Sequence, residues 1–495
     1  MKYCGKCGSQ IKDDSTFCGT CGASQNANEN VQSTFTENII TEEKTDEPKI
    51  IQTNPEATNG QEKCPKCGAT DISMNKNNGM LRCNFCRHQF EPEKATGFEE
   101  SIENLSGMTL GSGATDIDDG AEDMLTFKCQ SCGAEVVINT EETTQARCHW
   151  CRNYLSINQQ IPNGSVPDVV LPFAVTKADA QEEIRKFVKK RSFFGNKKFK
   201  KEFTTENILG VYLPYMIVDV NAHVTLKGQG EHEVRSYTVG SGDDKETYYD
   251  VDLFDVEREF DIEIDDLTIE SSQDKLDHSK KDVTNNIINS VMPFDTENAV
   301  KWNSNYLRGF NSEKRNVNIN LLAPLVEKQS KDIARFKANE TLDHYDRGVR
   351  WDTEDLDTKG QQWLAAYLPV WLYSYQQVKG DKKLLHYTAV NARTKETMGS
   401  VPINKFRLAL FSFFVEILAL LGMIVVEFDY EEVMLIGGPA FFALMYMRYR
   451  NSDARHEHET ETKSTSKNMR TVDEYVKQLK GLSDSSMYDA NNKNI

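Results

Sequence analysis

Twelve cysteines stand in this 495-residue chain, and every one belongs to a C-x-x-C pair within the first 151 positions. Cys4, Cys7, Cys18 and Cys21 form one set, with 10 residues between its pairs. Cys64, Cys67, Cys83 and Cys86 form a second and Cys129, Cys132, Cys148 and Cys151 a third, each with 15 residues between pairs. A tetrahedral metal takes four soft ligands at roughly 2.3 Å, and each C-x-x-C turn supplies two thiolates from one tight loop. Three complete sets with no cysteine left over predict three structural Zn2+ sites. Disulfides would need an oxidising compartment, and a dithiol redox centre would need a C-x-x-C beside a βαβ pattern, which is missing. A catalytic zinc keeps one position open, whereas each set here closes all four. Gly8, Gly22, Gly68 and Gly133 each follow a knuckle cysteine, where backbone freedom lets the chain turn around the metal.

The second and third sets are copies of each other. Lys63-Cys64-x-x-Cys67-Gly68-Ala69 matches Lys128-Cys129-x-x-Cys132-Gly133-Ala134, and Arg82-Cys83-x-Phe85-Cys86-Arg87 matches Arg147-Cys148-x-Trp150-Cys151-Arg152. The first set resembles the N-terminal zinc ribbons of bacterial membrane and regulatory proteins. The other two resemble the ribbon of transcription initiation factors of the IIB type. These resemblances imply a fold more than a function. The four arginines beside Phe85 and Trp150 could form a surface for stacking on bases. Alternatively the aromatics pack under the knuckles and the arginines are solvated.

A second constraint lies near the C-terminal end. Residues 408–426 are 19 positions with one charge, Glu416, and would cover roughly 28 Å as a helix. An acidic connector and a second apolar run, 433–447, follow. Lys405 and Arg407 flank one outer end of the pair, Arg448 and Arg450 the other. Bases at both outer ends predict a transmembrane hairpin over 405–450, integral in the cell membrane with two spans and both chain termini cytoplasmic. Glu416 reads as a carboxyl at a helix contact, with ion handling as the alternative. The N-terminus lacks the apolar core of a signal peptide, so the hairpin is expected to serve as the insertion signal.

The expected fold class is α+β: small zinc ribbons at 1–23, 63–92 and 126–158, an antiparallel-sheet α+β body at 159–404, the hairpin, and a polar tail at 451–495. Residues 24–62 read as a disordered linker and 93–125 as an acidic one. The third ribbon, joined to the body by only a short segment, is expected to dock on it. In the body, Thr176 caps a helix with Asp179 in the capping-box position and an apolar stripe of Ala180, Ile184, Phe187 and Val188. Tyr212-Leu213-Pro214 and Tyr367-Leu368-Pro369 read as two equivalent strand starts, helical segments are expected over 296–308 and 319–338, and a short amphipathic helix over 471–482.

Net charge is -18, so bulk electrostatics draw the chain neither to nucleic acid nor to anionic lipid. Against that background, residues 189–201 reverse the sign locally. Lys189, Lys190, Arg191, Lys197, Lys198, Lys200 and Lys201 stand there with no acid among them, interleaved with Phe193, Phe194 and Phe199. The reading is an interaction surface for anionic lipid headgroups or for a nucleic-acid backbone, or else a solvated helix end and loop whose phenylalanines pack inward. Asp261, Glu263, Asp265 and Asp266 read as a solvated charge run, and His456 and His458 as part of a solvated tail.

The stretches VVLPFAVTKADA, GVYLPYMIVD, AAYLPVWLYSY and VNARTKETMGSVPI, with the ribbons upstream, resemble a group of bacterial membrane-anchored zinc-ribbon proteins, sometimes labelled as related to primosomal helicases. The chain has no G-x4-G-K-[ST] loop, so the phosphate cradle of an ATP-driven helicase is missing. H-E-x-x-H and G-x-S-x-G are missing too, and the resemblance implies no catalytic residue. The chain therefore reads as a non-enzymatic adaptor that binds an unnamed protein partner at the cytoplasmic face of a membrane. The alternative is a membrane-tethered nucleic-acid-binding protein that uses the ribbons and residues 189–201. No small-molecule substrate is expected.

Overall fold

The chain divides into two units, Met1–Asp46 and Glu47–Ile495, in a computed structural model. The structure describes residues 2–3, 10–11, 48–51, 53, 64–69, 72–74, 80–91, 101–117, 121–128, 132–138, 148–150, 160–163, 167–240, 245–272, 291–302, 304–307, 310–313, 315–379, 382–425, 436–450 and 457–483. In the first unit these are the antiparallel strands β1 (Lys2–Tyr3) and β2 (Gln10–Ile11).

In the second unit β3 (Lys49–Ile51) leads to the second ribbon, a sheet of β4 (Ile72–Met74), β5 (Leu81–Cys83) and β6 (Gln89–Phe90). The chain returns through β7 (Gly107–Gly111), parallel to β3. The third ribbon supplies β8 (Ala121–Lys128) and β9 (Glu135–Ile138), with β10 (Gln160–Asn163) paired to β8. After β11 (Val169–Val170) come α1 (Lys177–Lys190) and α2 (Lys197–Glu202), then two long strands, β12 (Leu209–Val239) and β13 (Glu246–Glu270). Short β14 (Val300–Lys301) and β15 (Asn311–Glu313) precede α3 (Ile319–Asn339). A meander of β16 (Val349–Lys379), β17 (Lys382–Asn391) and β18 (Thr397–Gly399) follows. The helical pair α4 (Lys405–Val425) and α5 (Gly437–Arg450), one turn α6 (His458–Glu461) and β19 (Lys463–Ser483) end the described chain.

Among the described residues, 14 strands join in one sheet. Its central pair is β12 with β16, and the two Tyr-Leu-Pro segments pair with each other: Tyr212 opposes Pro369, Leu213 opposes Leu368 and Pro214 opposes Tyr367. Both prolines lie inside long strands rather than at strand starts. A proline has no N–H for a ladder bond, so it is tolerated where a neighbour is absent. That condition is met on both strands. On the far side of β12, β15 pairs at Val211 and Tyr212 and β13 takes over only from Tyr215. On the far side of β16, β11 pairs at Ala366 and Tyr367 and β17 takes over from Val370.

Three large apolar clusters, with a small fourth around Tyr345, hold the described residues of the unit together. α3 lays Leu322, Val326, Ile333 and Ala334 on one face of the long strands, each large aliphatic side chain contributing about 1.5–3 kcal/mol by burial. α1 and α2, the strands of the second ribbon and the base of the helical pair share a second cluster, and the third ribbon is built into the last. α1 begins as its sequence predicts: Thr176 Oγ1 accepts from the Asp179 amide at 3.2 Å, and the stripe Ala180, Ile184, Phe187 and Val188 is buried.

Several expectations are corrected. The body is mostly strand, and its sheet is mixed, with parallel pairs β3–β7, β7–β16, β11–β16 and β12–β15, so it is not an antiparallel α+β body. Helical periodicity over 471–482 loses to pairing with β13, which makes the segment part of β19. The described residues of 296–308 form two single 3-10 turns and the short strand β14 instead of one helix. The two linkers contribute β3 and β7 to the sheet. Buried Asp168 clips them down, accepting from the Thr53 hydroxyl, from the Gly113 amide at 2.6 Å and from the Ala365 amide at 2.8 Å.

The transmembrane hairpin is the largest correction. Among the described residues no helix is long and apolar enough to cross a membrane. Helix α5 spans only 14 residues, about 21 Å, and ends on Arg448 and Arg450. The outer ends of the pair are used for packing: Leu408 and Tyr449 are buried in the body's core, and the Val401 amide donates to the Tyr449 carbonyl at 2.9 Å. An integral two-span partnership with the membrane, and with it the multi-pass localisation with cytoplasmic termini, is therefore not supported. Glu416 accepts from the Gly438 amide in the first turn of α5 at 2.6 Å, a place where a helix favours a negative group.

Candidate metal centre and basic surface

The second ribbon brings Cys64, Cys67, Cys83 and Cys86 together with all four sulfurs within 4.8 Å of one another. Cys64 to Cys86 and Cys67 to Cys83 are each 3.6 Å between sulfurs. Four thiolates at roughly 2.3 Å from one zinc stand about 3.8 Å apart at the edges of the tetrahedron, so the cage fits that ion. Both knuckles are built alike. The Gly68 amide donates to the Cys64 carbonyl at 2.8 Å, and the Arg87 amide to the Cys83 carbonyl at 2.9 Å. Gly68 has φ 71° and Arg87 φ 61°. The left-handed residue after the second cysteine is thus a glycine in one knuckle and an arginine in the other, and only the glycine carried a sequence signal. Donation from the Cys86 amide lowers the Cys83 thiol to about 7. Cys67 receives the Ala69 amide, yet burial and three neighbouring thiols push it up to about 12. Four sulfurs this close cannot all ionise without a cation among them.

In the third ribbon, Cys132 and Cys148 sulfurs are 3.6 Å apart, and Cys129 and Cys151 lie outside the described residues. Its knuckle is sunk into the body. Cys148, His149 and Trp150 are buried, Trp150 meets Tyr387 edge-on at 4.8 Å, and His149 Nε2 is 2.7 Å from Glu313 Oε1. The four cysteines of the first ribbon, Cys4, Cys7, Cys18 and Cys21, also lie outside the described residues.

The duplicated aromatics part company. Trp150 is 6% exposed, while Phe85 at the equivalent position is 80% exposed, between the exposed Arg82 and Arg87. Arg147 and Arg152 lie outside the described residues. The second ribbon rests on the body through Ile72 and Leu81, which leaves its knuckle facing outward.

Residues 189–201 close α1 and form α2. Lys189, Lys190, Lys197, Lys198, Lys200 and Lys201 are exposed, and Lys198 has Glu202 at 3.8 Å. Arg191 stacks on Phe187 at 3.6 Å and donates to the Arg448 carbonyl at 3.0 Å. Phe194 and Phe199 pack inward, whereas Phe193 is half exposed with Arg407 over its ring at 4.4 Å. The fold adds what distance along the chain concealed. Asn196 donates to Pro402, Asn404 to Phe194, and Phe194 to the Tyr449 hydroxyl. Those bonds set Lys405, Arg407, Arg448 and Arg450 beside the predicted basic segment.

The acidic run is split by the fold. Asp261 lies on the solvated face, held well below the usual carboxylate range by Lys359, His223 and Asn468. Glu263 pairs with Lys467 at 2.6 Å. Asp266 instead turns inward beside Asp219. Burial pushes Asp219 up to about 7 and raises Asp266 as well. His458 is not solvated either; it is buried 3.4 Å from Asp332, and His456 lies outside the described residues.

Over 347 residues, 70% of its length, the chain is 24% identical to the uncharacterised protein YdjG of Bacillus subtilis (strain 168), covering 91% of that protein. No solved structure matches it. Residues 3–25 match the zinc-ribbon domain family, and the chain accordingly carries a zinc-ribbon domain at its N-terminus.

Proposed function

We propose that the protein binds single-stranded nucleic acid through its second zinc ribbon and the basic surface of residues 189–201. The observation that carries this reading is Phe85, 80% exposed on a metal-held knuckle between exposed Arg82 and Arg87. A large ring left in water on a rigid turn offers a stacking platform that accepts any base, and flanking guanidinium groups hold the adjoining phosphates. Zinc serves to fix the turn and takes no part in a reaction. The exposed lysines of α1 and α2 supply a local counter-charge for phosphates in a chain of net charge -18. The ribbon and the basic segment rest on the same apolar cluster. The likeness of the second and third ribbons to the IIB type favours the same reading by analogy.

The test is fluorescence anisotropy with a labelled single-stranded oligonucleotide over a range of salt. Binding should weaken steeply with ionic strength. Phe85→Ala should lose about 1–3 kcal/mol of binding, the worth of one stacked base. Lys197→Gln with Lys198→Gln should flatten the salt slope. Absence of binding at low salt would leave the protein-binding adaptor as the reading of the same surface.

A further inference from the structure

The carboxylates of Asp219, Asp265 and Asp266 meet where β12 and β13 lose register. Val218 pairs with Leu267 and Val220 with Ile264, so Asp265 and Asp266 together oppose the single Asp219. Asp266 takes φ 58°, which turns it toward Asp219; its amide donates to Asp219 Oδ1 at 2.9 Å, and its Oδ2 accepts from the Thr296 hydroxyl at 2.6 Å. One oxygen from each of the three carboxylates lies within 4.8 Å of the other two.

A second observation comes from the opposite side of β12. Gln362 of β16 stands directly across from Asp219 in register, which places both side chains on one face of the sheet. It is 2% exposed, and its amide nitrogen has no hydrogen-bond partner. A buried amide nitrogen without a partner is rare in native folds. Because the amide oxygen and nitrogen exchange places by a flip, Gln362 can offer its oxygen to whatever the carboxylates hold. A cavity of about 40 Å³ whose polar lining includes Asp265, Asp266, Thr268, Thr296, Glu297, Glu461 and Lys463 opens beside two of the three carboxylates.

We infer that Asp219, Asp265 and Asp266, backed by Gln362, form a binding site for a hard divalent cation of the calcium class. Such an ion takes six to eight oxygens at about 2.3–2.6 Å, so its ligands stand no more than roughly 5.2 Å apart, and three carboxylate oxygens within 4.8 Å of one another can share it. Water completes the coordination. The bound ion ties β12 and β13 to the 291–297 segment, which Thr296 already anchors.

The experiment is isothermal titration of the zinc-loaded full chain with calcium chloride at physiological salt, alongside thermal unfolding. Saturable one-to-one binding with a rise in Tm is expected. Asp219→Asn and Asp265→Asn should each weaken binding at least tenfold, while Asp355→Asn, on the solvated face, should leave it unchanged. Asp219→Asn removes a crowded charge at constant shape, so its calcium-free Tm should equal or exceed that of the parent, which shows that lost binding is not lost folding. No saturable binding at millimolar calcium, or equal binding by the parent and Asp219→Asn, overturns the site.

Discussion

Single residues divide into those whose chemistry is stated by their neighbours in the chain and those whose role depends on burial. The knuckle cysteines are of the first kind, since C-x-x-C spacing alone brings two thiols to one ion. Phe85 and Trp150 are of the second: identical local patterns end up 80% and 6% exposed because only the third knuckle is sunk into the body. His386 belongs there too. Burial first, and then the Arg450 charge, lower it to about 4, and its Nδ1 meets the Ser400 hydroxyl at 3.1 Å. An imidazole that titrates near 4 folded and near 6.5 unfolded binds more protons in the unfolded chain between those values. Its contribution is therefore present above about pH 6.5 and is lost as pH falls toward 4, by about 3 kcal/mol in all. Urea unfolding of the parent and of His386→Gln at pH 4.5, 5.5 and 7 should show the parent losing stability more steeply than the variant. Parallel curves would remove the effect.

Elements show where local propensity wins and where it yields. α1 wins, because cap, stripe and terminal lysines all agree. β19 yields, because its exposed helical pattern contributes little against a ladder with β13 that runs from Lys463 to Ser483. A buried contact adds to the exposed ion pairs along that edge strand: Arg258, 1% exposed, donates to Asp473 Oδ1 at 2.7 Å and to Thr341 Oγ1 at 2.8 Å. Asp473→Ala leaves a buried cation one partner short. The expected destabilisation is about 2 kcal/mol, below the range for a fully enclosed pair because Asp473 is partly solvated. Faster amide exchange along β19, but not along β12, is the accompanying signature. The Tyr-Leu-Pro repeat was visible in the sequence as a likeness between two segments. That they pair with each other, with each proline at a seam between neighbouring strands, needed the register.

At the scale of the whole molecule, the metal-held modules are attached in different ways. The third ribbon shares its core with the long strands, with Cys148 fully buried beside Val169, Leu213 and Leu368. The second touches the body through its strand residues and leaves its knuckle in water. Cys148→Ser should therefore lower the thermal midpoint of the body itself, whereas Cys86→Ser should disorder the second ribbon and leave near-UV circular dichroism of the body unchanged. Equal losses for the two would show that the second ribbon is also part of the core. The helical pair follows the same logic: its apolar residues looked like a lipid-crossing element, but its outer ends, Leu408 and Tyr449, are packed into the body's core with Phe194.

The sequence by itself determined the four-thiolate cage of the second ribbon, the repeat of the second and third ribbons, the first helix and the local excess of bases at 189–201, because each rests on chemistry or periodicity among residues close along the chain. Only the tertiary structure decided the mixed sheet, the strand fate of the two supposed linkers and of 471–482, the burial of one knuckle and exposure of its copy, and the meeting of Asp219 with Asp266 and Gln362. Those outcomes depend on register and on which surfaces are withdrawn from water, and both are set by partners dozens to hundreds of residues away.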